Sequence, residues 1–518
     1  MNYPGNPRFD PLQLKMKDYL DWKEAWAHDP SLIEDNGMFY AFSTDAGRNA
    51  PKGYQIRRSA DLIHWEYVGS AFPLKNSAKA YAKGKGTEEY GNLLRAYRWC
   101  LTRKDESPLQ VCTKENGEMS FWAPHCIKGS DGKFWLYFCL TGYFGGSRSC
   151  IGLAKADKVT GPYSCVELIV CSAEGWRSPN AIDPQAFFDA EGELHLVYGS
   201  YGLGLHVLDL NKDTGLRADG LTREDFDAGR CSYRDYFGTQ VACGSVEGGV
   251  IHCHKDVPVY DAATDSWTKK TYYYLMCSFG SLSSVYNMRC GRSENVHGPY
   301  VDVNGNTLVC STDVGSGNKL MGSFRWENSK FDYFCPGHND MFVTSGGINV
   351  ISYHCRTHYF KAPRAVPRRF RKKFAPHFLF VNQYTFNADG WIVMNPNRFG
   401  GEIVCDIPKE EFLSVSEGFY HMIRFRQDAE QDVTAVSRKV RFDLNGSISG
   451  VDGKWRMYGG HYIDLEIGGE LYKGVVMPAW LIEENRAGLA ISALGTKSGM
   501  TIFCNSAVAP VVEDKQKY

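Results

Sequence analysis

One hairpin pattern occurs five times in this chain, and it limits the possible folds more than any other feature. Each copy opens on a strand that starts with polar or conformationally restricted residues, passes through a turn or loop and returns as an apolar strand. The copies begin at Ala27, Phe121, Asn180, Val246 and Pro336. Five copies at intervals of roughly 60 to 95 residues indicate one structural unit repeated five times.

Further strand-like segments lie between the copies and resemble one another. They are residues 53–59, 151–156 and 287–293. Each repeat therefore has about four strands, which is the content of a propeller blade. The sequence predicts an all-β chain in which residues 1–360 form a five-bladed β-propeller with inner strands that begin at a central channel. Four polar residues fall at these strand starts: Asp29, Asp183, Glu247 and His338.

Three segments fall outside the repeat. Residues 361–375 form a basic run punctuated by Pro, which favours a solvated linker over a polyanion-binding patch. Residues 376–518 contain short strands separated by turns and predict a second all-β domain, either a β-sandwich or a small β-barrel. The polar insertion from Lys75 to Met119 is too long for an ordinary propeller connection, and it forms either a wall over the ligand cleft or a solvated excursion.

The charge and the cysteine content limit the partners and the compartment. The 58 Lys and Arg residues almost balance the 59 Asp and Glu residues, which argues against nucleic acid or an anionic membrane and favours a neutral ligand. No apolar run is long enough to span a membrane, and the first residues lack a secretory leader pattern. Seventeen cysteines without a Cys-x-x-Cys pair indicate a reducing compartment. We expect a cytoplasmic protein, or a secreted one if a leader has been removed.

The acids at the strand starts indicate chemistry on a sugar. Asp29, Asp183 and Glu247 would converge across a funnel, and aromatic neighbours such as Trp122 suit the apolar faces of sugar rings. Hydrolysis with inversion needs one carboxylate to activate water and one carboxylic acid to protonate the leaving oxygen, about 6.5 to 9.5 Å apart. A third acid beside the proton donor would raise the donor's pKa by like-charge repulsion.

A purely structural interpretation of these residues is open. Asp29 and Asp183 each precede Pro, and Asp-Pro commonly initiates turns. His338 could likewise be a histidine satisfied by neighbouring backbone groups. Two Asp-Pro pairs in register with a third acid at the same blade position make the structural interpretation weaker than it is for a single pair.

The ordered motifs resemble glycoside hydrolase family 43. They are His28-Asp29-Pro30-Ser31, Trp122-Ala123-Pro124, Asn180-Ala181-Ile182-Asp183-Pro184, Tyr198-Gly199-Ser200, Val246-Glu247-Gly248 and Gly337-His338-Asn339. The resemblance implies a five-bladed propeller enzyme that acts on arabinan or xylan with inversion. By the same resemblance Asp29 is the general base, Glu247 is the general acid, and Asp183 tunes and orients the acid. His338 matches a histidine that lies beside a channel Ca²⁺ ion, largely through bound water.

The C-terminal region narrows the prediction to one branch of the family. Residues 387–393, 397–402 and 491–495 resemble the accessory β-domain of the longer endo-α-1,5-L-arabinanases. We therefore expect an endo-acting enzyme that cleaves α-1,5 linkages in arabinan or arabino-oligosaccharides, with sugar contacts from four residues beside the acids. These are Trp122, Asn180, Ser200 and Tyr201.

Three departures from the family pattern concern the cleavage mode. His125 stands where an acid is usual, Gly249 follows Glu247-Gly248 where Pro, Thr or Ser is commoner, and the Lys75 to Met119 insertion is long. A wall at one end of the channel would make the enzyme exo-acting, as an α-L-arabinofuranosidase or a β-xylosidase. A non-catalytic carbohydrate-binding propeller is the alternative from another class, but binding alone does not need all three acids.

Overall fold

The computed structural model describes residues 9–10, 19–44, 53–72, 93–101, 121–142, 145–175, 177–309, 316–359, 376–426 and 434–508. Four antiparallel sheets of four strands and one larger sheet form the five blades. In each blade the first long strand lies innermost, and the following strands add outward in sequence order. The predicted all-β fold with a five-bladed β-propeller is confirmed.

The first four blades have simple up-and-down order. Blade I consists of β1 (Ser31–Asp35), β2 (Met38–Ser43), β3 (Gln55–Ser59) and β4 (Glu66–Ser70). Blade II consists of β5 (Phe121–Lys128), β6 (Phe134–Thr141), β7 (Ser149–Ala156) and β8 (Ser164–Ser172). Blade III consists of β9 (Gln185–Phe188), β10 (Leu194–Tyr198), β11 (Leu205–Leu210) and β12 (Thr239–Ala242). Blade IV consists of β13 (Val246–Asp261), β14 (Ser266–Phe279), β15 (Asn287–Ser293) and β16 (Asn318–Met321).

Blade V is extended at its inner edge. A short strand β17 (Phe324–Arg325) precedes the main strands β18 (Phe331–Val343), β19 (Asn349–Tyr359), β20 (His377–Phe386) and β21 (Ile392–Met394). The N-terminal segment bridges to this blade, because the Leu379 N–H donates to the Glu24 carbonyl at 2.8 Å and Ala25 pairs with Phe378. The segment before blade I therefore joins the first blade to the last.

The sequence-based domain boundary is wrong. Residues 376–518 were predicted to form the second domain, yet His377–Phe386 pairs along β19, and Ile392–Met394 pairs with β20. These strands complete blade V, so the boundary lies after Met394. The basic run 361–375 lies outside the described residues.

The C-terminal domain is an eight-stranded antiparallel sheet that closes on itself. Its strands are β22 (Phe419–Arg424), β24 (Arg438–Phe442), β25 (Ile448–Ser449), β26 (Gly453–Tyr458), β27 (Tyr462–Ile467), β28 (Glu470–Leu481), β29 (Arg486–Gly495) and β30 (Thr501–Ser506). A bridge between Ser447 and Lys454 joins its two edge strands, β25 and β26, which gives the small barrel of the two predicted alternatives. A two-residue strand β23 (Ala435–Val436) pairs with β17 instead and ties this domain to blade V.

Helices are few and short in the described ranges. They are a 3-10 helix (Tyr19–Asp21) and the α-helices α1 (Leu93–Leu101), α2 (Arg223–Asp227), α3 (Tyr233–Phe237) and α4 (Lys409–Ser414). None of these helices is long and apolar enough to cross a membrane. The fifteen cysteines in the described residues all have free thiols. The cytoplasmic location stays a prediction.

Part of the Lys75 to Met119 insertion packs against the propeller. The α1 helix buries Leu93, Ala96 and Cys100 against blade II, and the Trp99 indole N–H donates to the Ser149 carbonyl at 2.9 Å. This end of blade II carries the start of β7, on the same side as the start of β5 at Phe121. This part of the insertion is therefore not a solvated excursion. The rest of the insertion lies outside the described residues.

Candidate active site

The same backbone distortion occurs at or near the start of the inner strand in blades I to IV and within β18 of blade V. One residue in each blade has a positive φ: Asp29 (51°), Ala123 (33°), Asp183 (57°), Gly248 (59°) and His338 (48°). In β5, β13 and β18 the pairing register shifts at the same place, as in a β-bulge. Non-Gly residues in this region cost about 1–3 kcal/mol each, and such strain is typical of functional sites. The distortion places four non-Gly residues of the repeat at the channel.

Glu247 lies one residue before the positive-φ position of its blade. It was predicted at the same blade position as Asp29 and Asp183, but Gly248 takes the positive-φ position in blade IV. A Cβ atom on Gly248 would lie only 3.0 Å from the His338 ring, so a side chain there would displace the imidazole. The acid of blade IV therefore comes one residue earlier, paired with Ser278 on β14 and bridged to Ser200.

A small cavity lies on the propeller axis at these distortions. It offers about 20 Å³ to a water-sized sphere, enough for roughly one water molecule or one ion. All five inner strands line it, through residues 29–31, 123–125, 183–185, 248–250 and 338–340. The site is therefore built by every blade, and no single blade holds it alone.

Asp29 is held as an anion among imidazoles. Its Oδ1 lies 3.1 Å from His338 Nδ1 and 3.6 Å from His28 Nδ1, and the Thr44 hydroxyl donates to Oδ2. Burial opposes ionisation, but the charge of His338 and the contact with His28 outweigh it and hold the pKa of Asp29 well below its usual range. The carboxylate can therefore accept a proton from water throughout the neutral range.

Two residues that the sequence did not single out position Asp29. The Asp29 backbone N–H donates to His354 Nδ1 at 3.1 Å, across 325 residues of chain. Thr44 Oγ1 also accepts the Ala123 N–H at 2.8 Å, which links blade I to blade II beside the carboxylate. His354 closes the fifth hairpin copy, so the repeat itself was the signal that could have found it. Thr44 follows β2 and carries no motif.

Asp183 and Glu247 form a pair of protonatable acids. Burial is the main cause that raises the pKa of Asp183 to about 7, with the charges of Glu247 and Asp29 adding to it and His338 opposing it. Burial also raises the pKa of Glu247, although His338 and hydrogen bonds from Tyr286 and Ser200 oppose the rise. Because like charges repel, the pair retains a proton near neutral pH. The site therefore combines a protonated pair with an ionised carboxylate, Asp29.

His338 lies among the three acids of the site. Its backbone N–H donates to Ser278 Oγ at 2.6 Å, and its ring faces Asp29. Burial lowers the pKa of His338, but the charges of Asp29, Asp183 and Glu247 outweigh burial and raise it. His338 therefore stabilises the anionic form of Asp29.

The predicted sugar contacts have different surroundings. The Ser200 hydroxyl donates to Glu247 Oε2 at 3.0 Å, and the partly exposed Tyr201 donates its hydroxyl to the Gly280 carbonyl at 2.9 Å. Trp122 is partly exposed beside the bulge in β5. Asn180 is only 3% exposed and its amide lies against the Gly146 carbonyl. All four sugar contacts stay predictions, and Asn180 has the least surface available for one.

His125 occupies the channel in place of the usual acid. Its Nδ1 accepts the Ala186 N–H at 3.2 Å, so its proton is on Nε2, which lies 3.9 Å from Asp340 Oδ1. Burial lowers the pKa of His125 to about 3, so the ring is neutral. This position therefore adds no charge to the three acids.

Three imidazoles beside Asp29 come close enough to hold a metal ion. The nitrogen atoms of His28, His354 and His377 lie within 4.8 Å of one another. However, His354 Nδ1 accepts the Asp29 N–H, and His377 Nε2 accepts the Arg356 Nε–H at 3.0 Å. A neutral imidazole has one acceptor nitrogen, and in both rings it is already used. The cluster therefore positions Asp29 and is poorly arranged for a metal.

Comparisons with known proteins agree with this fold. Residues 102–392 match the family model "Glycosyl hydrolases family 43", and residues 396–504 match the model of a "C-terminal lipocalin-like domain". The second match begins just after β21, where the structure places the domain boundary.

Two curated relatives are similar along nearly the whole chain. The "Extracellular endo-alpha-(1->5)-L-arabinanase" of Thermotoga petrophila is 31% identical, over 92% of this chain and 93% of the relative. The "Extracellular endo-alpha-(1->5)-L-arabinanase 2" of Bacillus subtilis is 28% identical, over 93% of both chains.

The fold comparison gives the same assignment. The crystal structure of an endo-1,5-alpha-L-arabinanase from Thermotoga petrophila in complex with Tris superposes with a TM-score of 0.71. It is 30% identical and covers 93% of this chain and 98% of the crystallised chain. Because the family model matches more than half of the chain and a family relative is 31% identical over 92% of it, the chain belongs to glycoside hydrolase family 43.

Proposed function

We propose that the protein hydrolyses internal α-1,5-L-arabinofuranosidic bonds of arabinan with inversion at the anomeric carbon. The observation that carries the proposal is the opposed protonation of the channel acids. The pKa of Asp29 is held low, whereas those of Asp183 and Glu247 are raised. One base and one acid with separated pKa values are what glycoside hydrolysis by inversion requires.

Each acid then has one role. The Asp29 carboxylate accepts a proton from a water molecule, whose oxygen attacks the anomeric carbon. The carboxyl group of Glu247 gives its proton to the glycosidic oxygen as the bond to the anomeric carbon breaks. Asp29 ends protonated and Glu247 ionised, and exchange with solvent restores both. A non-catalytic sugar-binding propeller would not need this proton arrangement.

Asp183 supports the proton donor. Its Oδ2 accepts the Gly248 N–H at 3.2 Å, next to Glu247 in sequence, and the charge of Glu247 contributes to its raised pKa. Ionisation of either acid therefore makes ionisation of the other less favourable, so Asp183 keeps a proton available to Glu247. Asp183 is a positioning and electrostatic residue in this proposal.

The axial cavity fits the proposed Ca²⁺ ion. Asn339 Oδ1 is buried along it without a hydrogen-bond partner, and Ser31 Oγ and Asp340 Oδ1 lie beside it with no side-chain hydrogen-bond partner but each other. Oxygen donors of this kind suit a hard cation, which completes its shell with water. His338 would lie beside the ion and hold it largely through bound water, because its Nδ1 faces Asp29. The ion would supply fixed positive charge beside the acids.

The substrate proposal depends on the relatives. Both relatives named above are described as endo-α-(1→5)-L-arabinanases, and each covers at least 92% of this chain, including the C-terminal barrel. Similarity that extends over both domains supports the same substrate class and an open channel.

The test is a time course of linear α-1,5-arabinan digestion, with xylan alongside and products resolved by chain length. Mixed oligomers early in the reaction are expected. Arabinose alone would replace the endo mode by an exo mode, and release only from xylan would overturn the substrate. Proton NMR of the first product should show inverted anomeric configuration.

Asp29→Asn and Glu247→Gln must lose the activity, and variants as active as the wild type would refute the mechanism.

The calcium proposal has its own test. Removal of metal with EGTA should lower both activity and melting temperature, and added Ca²⁺ should restore both. His338→Gln should no longer respond to Ca²⁺. A wild-type protein whose activity and melting temperature are the same in EGTA and in Ca²⁺ would remove the ion from the proposal and leave the roles of the three acids untouched.

A further inference from the structure

A second cluster of imidazoles and carboxylates lies at the other end of blade III. His195 on β10 and Asp209 on β11 are paired across the strands, and His297 reaches them from the loop after β15 in blade IV. The His195 Nδ1 and His297 Nε2 atoms each lie 2.9 Å from the same atom, Asp209 Oδ1. The three ligand atoms all lie within 4.8 Å of one another.

This cluster is remote from the catalytic acids. His195 pairs with Phe187 near the end of β9, whereas Asp183 lies just before the first residue of β9. Ser200, which contacts Glu247, lies five residues beyond His195 along β10, or roughly 16 Å at strand spacing. The cluster therefore belongs to the opposite face of the propeller.

We propose that His195, Asp209 and His297 bind a divalent transition-metal ion of the zinc class and thereby tie blade III to blade IV. Two imidazole nitrogens and one carboxylate oxygen are a usual donor set for Zn²⁺. Tetrahedral coordination spaces such donors by roughly 3.3 Å, so the observed 2.9 Å contacts need only a small outward movement.

The orientation of the buried ligand supports a metal site. His195 is 6% exposed, and its second nitrogen, Nε2, lies 3.2 Å from Asp189 Oδ2. Asp189 is itself fixed, because its Oδ1 accepts the backbone N–H groups of Glu191 and Glu193. A histidine that binds metal through one nitrogen typically donates the other N–H to a carboxylate in this way.

The exposed ligands give the ion access and an open position. The side chains of Asp209 and His297 are 59% and 35% exposed, so solvent or a fourth ligand can complete the shell. Without metal, both nitrogens of His195 face carboxylates and the ring carries a proton on each. The metal displaces the proton from Nδ1 to solvent, so binding is weaker in acid.

The test measures Zn²⁺ bound by the full chain in equilibrium dialysis, with Ca²⁺ present throughout to occupy the channel. The wild type is expected to bind one Zn²⁺ more per chain than His297→Gln or Asp209→Asn. Asp189→Asn should weaken this binding by about 10- to 100-fold, as second-layer substitutions typically do. Co²⁺ should give the strong visible absorption of a low-coordinate site in the wild type, and His297→Gln should lose it.

A matched control is available in blade I. His64 Nδ1 lies 2.7 Å from Asp61 Oδ2, which is a similar His–Asp contact without a third ligand. His64→Gln should bind as much Zn²⁺ as the wild type. The proposal is overturned if the wild type binds no additional Zn²⁺, or if His297→Gln and Asp209→Asn bind the same number with the same affinity. The cluster would then be only an ion-pair network between blades.

Discussion

Asp29 and Asp209 each lie against imidazole nitrogens, at opposite faces of one propeller. Around Asp29 the imidazoles are mostly buried, and His354 uses its acceptor nitrogen to hold the Asp29 backbone. Around Asp209 both imidazoles direct a ring nitrogen at one exposed carboxylate oxygen. Histidine and aspartate therefore have different roles in the two regions. At Asp29 the histidines set the charge of a base, and at Asp209 the carboxylate that both histidines contact is open to solvent.

Backbone conformation is the second difference between the two regions. Asp29 has a φ of 51° before a proline, whereas Asp209 lies within the regular strand β11 and pairs directly with His195. A strained, buried carboxylate keeps one orientation, which suits catalysis. An exposed strand carboxylate can shift by a few tenths of an ångström, which suits the binding of an ion.

The largest expected effect comes from the same substitution at both aspartates. Asp29→Asn should lower kcat/KM on linear arabinan by at least about 1,000-fold, because the general base is lost. Asp209→Asn should stay within about twofold of the wild type. Initial rates of reducing-end release measure both. Equal losses in the two variants would show that the distinction between the two regions is wrong.

A second comparison concerns the histidines. His354→Leu removes the acceptor for the Asp29 N–H and should lower kcat by about 10- to 100-fold with little change in KM, because misplacing a reacting group is costly. His354→Gln should recover part of the loss, since its carboxamide oxygen can accept the same N–H. His297→Leu is the matched control and should leave kcat unchanged. If Gln and Leu at position 354 behave alike, His354 does not act through that hydrogen bond.

The pH profile of kcat/KM tests the predicted protonation of the channel acids. Asp29 stays ionised to low pH, and the proton of the Asp183 and Glu247 pair is lost as pH rises through about 7, so kcat/KM should fall on the alkaline side. The Ser200 hydroxyl favours ionised Glu247, so Ser200→Ala should raise its pKa and move the alkaline limb upward by about one pH unit. The exposed Ser130→Ala is the control. A downward shift in Ser200→Ala would contradict this assignment.

A third carboxyl group shows what burial does without imidazoles. Glu402 is 2% exposed and accepts the Gly400 N–H at 2.6 Å, and burial raises its pKa to about 8. The folded state keeps this proton from about pH 4.5 to 8 while the unfolded chain loses it, so stability falls as pH rises across that window. Glu402→Gln should therefore melt roughly 5 °C above the wild type at pH 9 and close to it at pH 4.

The control for Glu402 is the exposed Glu410→Gln, which should melt with the wild type at both pH values. A Glu402→Gln variant that is less stable than the wild type at pH 9 would mean that the buried carboxylate contributes stabilising contacts in its ionised form. Differential scanning calorimetry across this pH range separates the two outcomes.

The repeat made the propeller and three channel residues predictable. Asp29, Asp183 and His338 share one position because the same positive-φ conformation recurs in their blades, so their motifs align in the sequence. Glu247 was identified by its motif, but its one-residue offset depends on the space that His338 leaves for Gly248. That contact joins blade IV to blade V, and no local pattern records it.

The domain boundary was missed for a related reason. The strands of blade V and of the barrel are alike in the sequence, as short strands separated by turns, so residues 377–394 fit either domain equally well. The predicted boundary was placed at the basic run 361–375 because Pro and charged residues are typical of linkers. Only the pairing of β20 with β19 assigns these residues to the propeller.

By itself, the sequence determined the elements and the acids: repeated hairpins, an all-β chain and the residue types that glycoside hydrolysis requires. The tertiary structure decided which residues contact the acids and which acids are protonated. His354 binds the Asp29 backbone from 325 residues away, and His297 joins Asp209 from another blade. Burial raises the pKa of Asp183, whereas the neighbouring histidines hold that of Asp29 low. Local patterns follow from backbone sterics and polarity, whereas pKa values and ligand sets depend on distances that only the closed ring of blades fixes.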